Sequence, residues 1–362
     1  MAHRESLGAP VCTLPVSGAT PKAPSDALRW SHDGQALVVA GDALHVITPA
    51  AGIALGDASQ VALCLAGQPS ERTAASLAHF VCTVSAPAPA EAYDYAVDAL
   101  DALGGDWVAA AWSPPGLGAR NTCCIAAITA QRSVVLIDAP RDHIKGPWVI
   151  RETLAAPEVL RRSNCSAVDW SNLCPTRANT SLLAAGSESG IILWAVDADG
   201  AASPIYVDLG TRVYAVRWGE WLDGRAPLAV HTRHGMRMLC FAADGSTCGP
   251  QTSCTLGFCH ASGLQWRSST LYFATPGTLH AWEPGTGSHS AYSTDSARSA
   301  AGIVGEEPCA VLQDWRSVGS ACSDAVVAQA PGTHGPAEHQ LLWAFAPFNG
   351  TIGSLSTCVH AC

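Results

Sequence analysis

The chain is 362 residues long, 48% hydrophobic and 14% charged, with 20 lysine and arginine residues against 30 acidic ones for a formal charge of -10. That apolar share can fill a large core and argues against a disordered chain. The acidic balance argues against a protein that grips nucleic acid over its whole surface, because phosphate binding draws on excess cationic charge.

The opening stretch MAHRESLGAPVCTLPVSG lacks the apolar core of about 7–15 residues found in a signal peptide. No unbroken apolar run reaches the roughly 18 residues that could span a bilayer. A soluble, intracellular protein with no membrane contact is therefore expected. The 15 cysteines fall at irregular spacings, which fits reduced thiols in core and loop positions rather than a disulfide framework.

Residues 27–49, ALRWSHDGQALVVAGDALHVITP, hold a short run ending in tryptophan, a polar turn, and two apolar runs split by Gly41-Asp42. The pattern returns as VAAAWSPPGLGARNTCCIAAITAQRSVVLID from 108, AVDWSNLCPTRANTSLLAAGSESGIILWAVD from 167 and YAVRWGEWLDGRAPLAVHTRHGMRMLCF from 214. Weaker copies are GLQWRSSTLYFATPGTLHAWEPGTG from 263 and AVLQDWRSVGSACSDAVVAQA from 310, the latter with LLWAFAP at 341–347 as a further run. The equivalent tryptophans are Trp30, Trp112, Trp170, Trp218, Trp266 and Trp315, and the last three intervals are about 48 residues. A four-stranded propeller blade occupies about 40–50 residues.

The expected fold is therefore all-β: a single β-propeller domain over 1–362. Each copy supplies three inner strands, and their continuous apolar runs suit strands covered on both faces where blades stack. An indole on the first strand fills the widening wedge between blades while its N–H finds a partner. The 82-residue interval from Trp30 to Trp112 leaves room for a blade without its tryptophan, with QVALCLAG (60–67) and HFVCTVSA (79–86) as candidate strands. That makes seven blades, with six as the alternative. GAPVCTLPVSG near the start is expected to close the ring between the chain ends, removing a free sheet edge. Loops are expected at 85–94, 283–300 and 330–340 from their Pro, Gly, Ala and Ser content.

Chemistry is sparse. SPPGLGAR precedes no Lys-Ser/Thr and GSESG places Glu188 where a nucleophile elbow needs serine, so both stretches are turns. Cys248, Cys254, Cys259 and His260 are possible zinc ligands, but they lack the close pairs of a structural site, and the terminal Cys358, His360 and Cys362 are less specific still. No metal, cofactor or catalytic residue is assigned. His45, His231, His280 and His289 are the histidines an enzyme on this scaffold would have to gather. One charge feature opposes the acidic background: Arg120, Arg132, Arg141, Lys145, Arg151, Arg161 and Arg162 outnumber Asp138, Asp142, Glu152 and Glu158. The functional reading is a patch for phosphate or an acidic partner, and the plain one is a solvated outer strand and loop.

The aligned copies resemble the WD-type (WD40 repeat) β-propellers, most closely at 167–200 with Trp170-Ser171, LLAAGSESG and LWAVD. No copy has Gly-His before its first strand, and Trp194 is followed by Ala195 where aspartate is usual. Residues 27–49, and 108–138 followed by GPWVIRETL at 146–154, are similar to the amino-terminal propeller of the delta-subunit family of general transcription factor IIIC. The Trp-Ser-Pro-x-Gly-Leu motif followed by a Cys-containing apolar strand is the more specific element.

The resemblance implies a non-catalytic scaffold in the nucleus, inside a complex that serves RNA polymerase III at transfer RNA genes. Its implied partners are the other factor IIIC subunits, the initiation factor containing the TATA-binding protein, and RNA polymerase III, with DNA met only within the complex. It also implies a further carboxy-terminal domain of zinc-binding character, which has no counterpart up to Cys362. Histone acetyltransferase activity is associated with the family, but no glycine-rich acetyl-coenzyme A loop with an adjoining helix is present in the sequence.

Overall fold

A computed structural model describes residues 28–33, 35–40, 43–49, 79–85, 107–141, 146–157, 164–256, 261–275, 278–293, 299–304, 307–313, 325–329, 341–343 and 356–358. The first sheet contains β1 (Leu28–Trp30), β2 (Ala36–Ala40), β3 (Ala43–Pro49) and β4 (His79–Ser85), in chain order. The second contains β5 (Ala109–Trp112), β6 (Ile125–Ile128), β7 (Val134–Asp138) and β8 (Val149–Thr153). The third runs β9 (Ala167–Trp170), β10 (Ser181–Gly186) and β11 (Gly190–Asp197), with β12 (Gly200–Ala201) and β13 (Ile205–Asp208) sharing its outer edge.

The fourth sheet contains β14 (Val213–Trp218), β15 (Arg225–Thr232), β16 (Gly235–Ala242) and β17 (Thr252–Thr255). The fifth contains β18 (Ser262–Arg267), β19 (Thr270–Thr275), β20 (Thr278–Glu283) and β21 (Ser288–Ser293). Beyond it, β22 (Ser299–Val304), β23 (Glu307–Gln313) and β24 (Ala325–Gln329) form a three-stranded sheet, and β25 (Leu341–Trp343) pairs with β26 (Ser356–Cys358). Every pairing among the described residues is antiparallel, so each sheet is a meander built from local hairpins.

Two features fix how the sheets meet. First strands lie side by side, β5 beside β9, β9 beside β14, β14 beside β18 and β18 beside β22, so the sheets radiate from a common inner edge. The apolar core is correspondingly a series of slabs between consecutive sheets. Leu37, Leu44 and Val46 of the first sheet pack with Trp112, Ile125 and Ile137 of the second. Ala126, Ile128 and Leu136 pack with Trp170, Leu183 and Trp194 of the third. Leu182, Ile191 and Leu193 meet Trp218, Leu228 and Phe241, and Ala229 and Met236 meet Leu264, Leu271 and Trp282.

This layering explains the residue pattern. β6 and β10 are buried at every position because slabs cover both their faces, whereas the outer strands β8, β13 and β17 keep exposed positions. Gly235 reverses the chain between β15 and β16 at φ +116°, and a Cβ there would stand 2.3 Å from the Cys254 carbonyl oxygen, so the turn needs glycine.

Two sequence expectations change. HFVCTVS is no part of an extra blade: it is β4, paired with β3 from Ala43↔Ser85 to Pro49↔His79. Its buried Val84 between exposed Thr83 and Ser85 is the half-covered pattern of an outer strand. The candidate strand at 60–67, most of the loop at 85–94, and the loop at 330–340 lie outside the described residues, as does the expected closing strand near the start. The Ser/Thr-rich stretch 283–300 holds β21, paired with β20 from Thr278↔Ser293 to Glu283↔Ser288. Exposed outer strands carry polar residues, so composition alone made this strand look like a loop.

Candidate interaction surface

Strands alternate in direction, so loops after the first and third strands of a sheet share one end, and loops after the second and fourth share the other. The first is the tryptophan end, because Trp112, Trp170, Trp218 and Trp266 stand at or next to the last residue of their strands. This geometry divides the basic residues singled out from the sequence. Arg120, in the short 3-10 turn Ala119–Asn121, and Arg141, after β7, are exposed at the tryptophan end. Arg132 lies in the β6–β7 turn at the opposite end, where its carbonyl accepts the Cys165 N–H at 3.0 Å.

Arg151 on β8 is no open cation. Its Nη1 donates to the Leu117 carbonyl at 3.0 Å and stands 3.5 Å from Asp138 Oδ1, while its Nε is 3.6 Å from Glu152 Oε1. It ties the β5–β6 loop to the outer strand. Lys145, Arg161 and Arg162 lie outside the described residues. The structure thus brings Arg120 and Arg141 to one end, places Arg132 at the other, and engages Arg151 with Leu117, Asp138 and Glu152.

The repeat tryptophans take the wedge positions the sequence implies, and the structure adds a direction: Trp112, Trp170 and Trp218 each face the slab shared with the preceding sheet. Among the described residues the indole Nε1 atoms of these three find no acceptor, contrary to expectation, whereas that of the repeat residue Trp266 finds one. Four indole bonds point back one sheet. Trp107 donates to the Val84 carbonyl at 3.1 Å, Trp194 to Ala155 at 3.1 Å, Trp221 to Asn172 at 2.8 Å and Trp266 to Arg217 at 3.0 Å. The Trp30 side chain and Trp315 lie outside the described residues.

The residue before each of Trp30, Trp112, Trp170, Trp218 and Trp266 lies on the inner edge, a position that sequence reading passed over. These residues are Arg29, Ala111, Asp169, Arg217 and Gln265. Asp169 Oδ2 accepts the buried Trp218 N–H at 2.9 Å, and its Oδ1 is 3.3 Å from Arg217 Nη1 and 3.5 Å from Arg29 Nη1. Arg217 Nε donates onward to the Leu264 carbonyl at 2.7 Å. One carboxylate therefore joins the first, third and fourth sheets, with Arg29 reaching past the small Ala111 of the second. The signal was available as the repeated position before each of these tryptophans, charged or polar in all but the second copy.

The four histidines do not converge. His45 is buried on β3 with Nδ1 3.2 Å from Thr83 Oγ1, and His231 is buried on β15 with its ring 5.6 Å from that of Tyr214. Only His280 and His289 meet, stacked with His280 Nδ1 3.0 Å from His289 Nε2, while His280 Nε2 is 2.9 Å from Thr275 Oγ1. Burial and, secondarily, the positive charge His289 can carry lower the His280 pKa to about 4.

The cysteines described are free thiols. Burial pushes Cys123 and Cys165 up to about 12 and Cys124 to about 11, which leaves them protonated and inert as nucleophiles. Of the possible zinc ligands, Cys248 and Cys254 are described as free thiols, whereas Cys259, His260, His360, Cys362 and the Cys358 side chain lie outside the described residues. Among the described residues no helix is long and apolar enough to cross a membrane.

Among solved structures, the chain is similar to that of BBS1N in complex with ARL6DN, with a TM-score of 0.50 and 12% identity over 93% of this chain and 89% of that one. It is also similar to a chain of the mitotic checkpoint complex, with a TM-score of 0.45 and 12% identity over 98% of this chain and 86% of that one. A third is the β-propeller domain of Myceliophteria thermophila Cps50 (Swd1), with a TM-score of 0.45 and 14% identity over 78% and 79%. The fold is a β-propeller. No family model and no curated protein matches the sequence. In propeller terms the sheets are blades, Asp169 lies at the wall of the channel, and the two ends are the two rims.

Proposed function

We propose that this propeller is a non-catalytic scaffold subunit of the transcription factor IIIC complex, acting through protein contacts when RNA polymerase III starts transcription of transfer RNA genes. The carrying observation is the stretch from Trp112 to Leu117 with its following strand. Ser113 Oγ accepts the Cys124 N–H at 2.8 Å, and Leu117, Cys123 and Cys124 are buried. The motif that resembles the delta-subunit family is thus a folded loop joined to the core. Propellers meet partners through rim loops that share no fixed motif, so the reading needs no catalytic constellation. The proposed partners are the other factor IIIC subunits, the initiation factor containing the TATA-binding protein, and RNA polymerase III. The proposed location is the nucleus, with DNA contacted only inside the assembly.

The experiment is affinity purification of the tagged protein from its own cells with mass spectrometry of what accompanies it. Recovery of factor IIIC subunits is expected. Charge reversal of Arg120 and Arg141 together then tests the tryptophan-end rim, with loss of one or more subunits expected. Recovery of an unrelated complex would overturn the polymerase III assignment and make the chain an adaptor elsewhere.

A further inference from the structure

We infer that the rim of the fourth blade around Tyr214, Arg212 and Arg233, opposite the tryptophan end, docks a short acidic peptide segment of a partner protein. The inference deepens the scaffold reading and does not depend on the polymerase III assignment.

β14 is the innermost strand of its blade, and its pairing with β15 slips between Val213 and Ala215, which places Tyr214 in a bulge. Its neighbours Val213 and Ala215 are buried, while Tyr214 is 39% exposed. A bulge interrupts ladder bonds and re-aims one side chain, and such devices concentrate near functional sites. Here the re-aimed group is an aromatic ring beside the channel mouth.

The ring does not stand alone. The Arg212 guanidinium carbon lies 5.8 Å from the Tyr214 ring centroid, close enough for a cation–π contact that holds both planes. The His231 ring lies 5.6 Å from Tyr214 on the other strand. Val213 pairs with Thr232, so Arg212 and Arg233 leave the same end of two neighbouring strands. Arg233 Nε donates to His234 Nε2 at 2.9 Å, and Arg212, Arg233 and His234 are all exposed.

One guanidinium held over an aromatic ring, with a second leaving the same end of the neighbouring strand, matches a carboxylate or phosphate flanked by an apolar side chain, because the guanidinium fork binds such anions through paired N–H donors. The chain as a whole carries -10, so attraction of an acidic segment is confined to this basic rim. Two acidic groups oppose them at this end: Asp208, exposed at the end of β13, and Glu188, exposed on the adjoining blade in the turn whose Ser187 carbonyl accepts the Val213 N–H at 2.9 Å. An acidic peptide meets these carboxylates as repulsion, and that gives the test a second sign.

The test is fluorescence anisotropy of a labelled peptide of alternating glutamate and leucine added to the full chain, with a glutamine–leucine analogue, a phosphoserine version and mixed-sequence duplex DNA as comparisons. Salt-sensitive binding of the acidic and phosphoserine peptides is expected, weakened about tenfold by Arg212→Glu with Arg233→Glu and several-fold by Tyr214→Ala. Glu188→Gln is expected to tighten it. All four residues are exposed, so each variant should keep the parent unfolding midpoint. Equal binding of the glutamine peptide, indifference to these substitutions, or binding of DNA in preference to peptide would overturn the inference. Failure of factor IIIC recovery with intact peptide binding would instead remove only the polymerase III assignment.

Discussion

Arg217 Nη1 and Asp169 Oδ1 stand 3.3 Å apart across the boundary between the third and fourth blades, and the same carboxylate accepts the Trp218 N–H. With Arg29 at 3.5 Å, two arginines from different blades share one acid whose side chain is only 8% exposed. A pair buried this far contributes little net attraction after desolvation, but removing one partner leaves charge and a backbone donor without compensation. Asp169→Ala is therefore expected to cost about 3–5 kcal/mol. Asp169→Asn, which keeps an acceptor for Trp218, should cost less. Urea denaturation followed by tryptophan fluorescence measures both, and an alanine variant as stable as the parent would refute the channel network.

The indoles give a paired comparison. Trp194 bonds the Ala155 carbonyl, whereas the also buried Trp170 has no acceptor for its indole N–H among the described residues. Replacing either by phenylalanine removes similar ring area, but only Trp194→Phe also strands a carbonyl. That variant should be less stable than Trp170→Phe by about 1 kcal/mol, as read from the two denaturation midpoints.

His280 makes stability depend on pH. Its folded pKa, about 4, lies below the ordinary histidine value of 6.5, so the unfolded chain binds the proton more readily between those values. Stability rises with pH wherever the unfolded state holds more protons. The contribution is complete above about pH 6.5 and is lost as pH falls toward 4. Denaturation series at successive pH values should show the parent losing stability in this window faster than His280→Gln, and parallel curves would exclude the effect.

The repeat was legible because each copy needs the same local elements. Trp170, the run 181–186 and the run 190–197 fell where β9, β10 and β11 form, since an apolar run bounded by Ser, Glu and Gly turns has few other solutions. β4 and β21 were misread for one reason. An outer strand covered on one side carries mixed or polar residues, and its pairing is set by the strand beside it rather than by its own composition.

The basic residues between 120 and 162 illustrate the opposite limit. Proximity in sequence suggested one patch, but the meander sends Arg120 and Arg132 to opposite rims, and Arg151 turns inward to Asp138 and Leu117. Charge clusters depend on which end of a strand a loop leaves, and alternating strand direction separates neighbours in the chain.

By itself the sequence determined the all-β class, the repeat length and the wedge positions of the tryptophans, because hydrophobic period and turn residues act over a few positions. Only the tertiary structure decided which way each indole faces, how Asp169 joins Arg29 and Arg217, and that a bulge lifts Tyr214 onto a basic rim. Those relationships connect residues from different blades or from strands whose register is set jointly, so ring geometry rather than any local run fixes them.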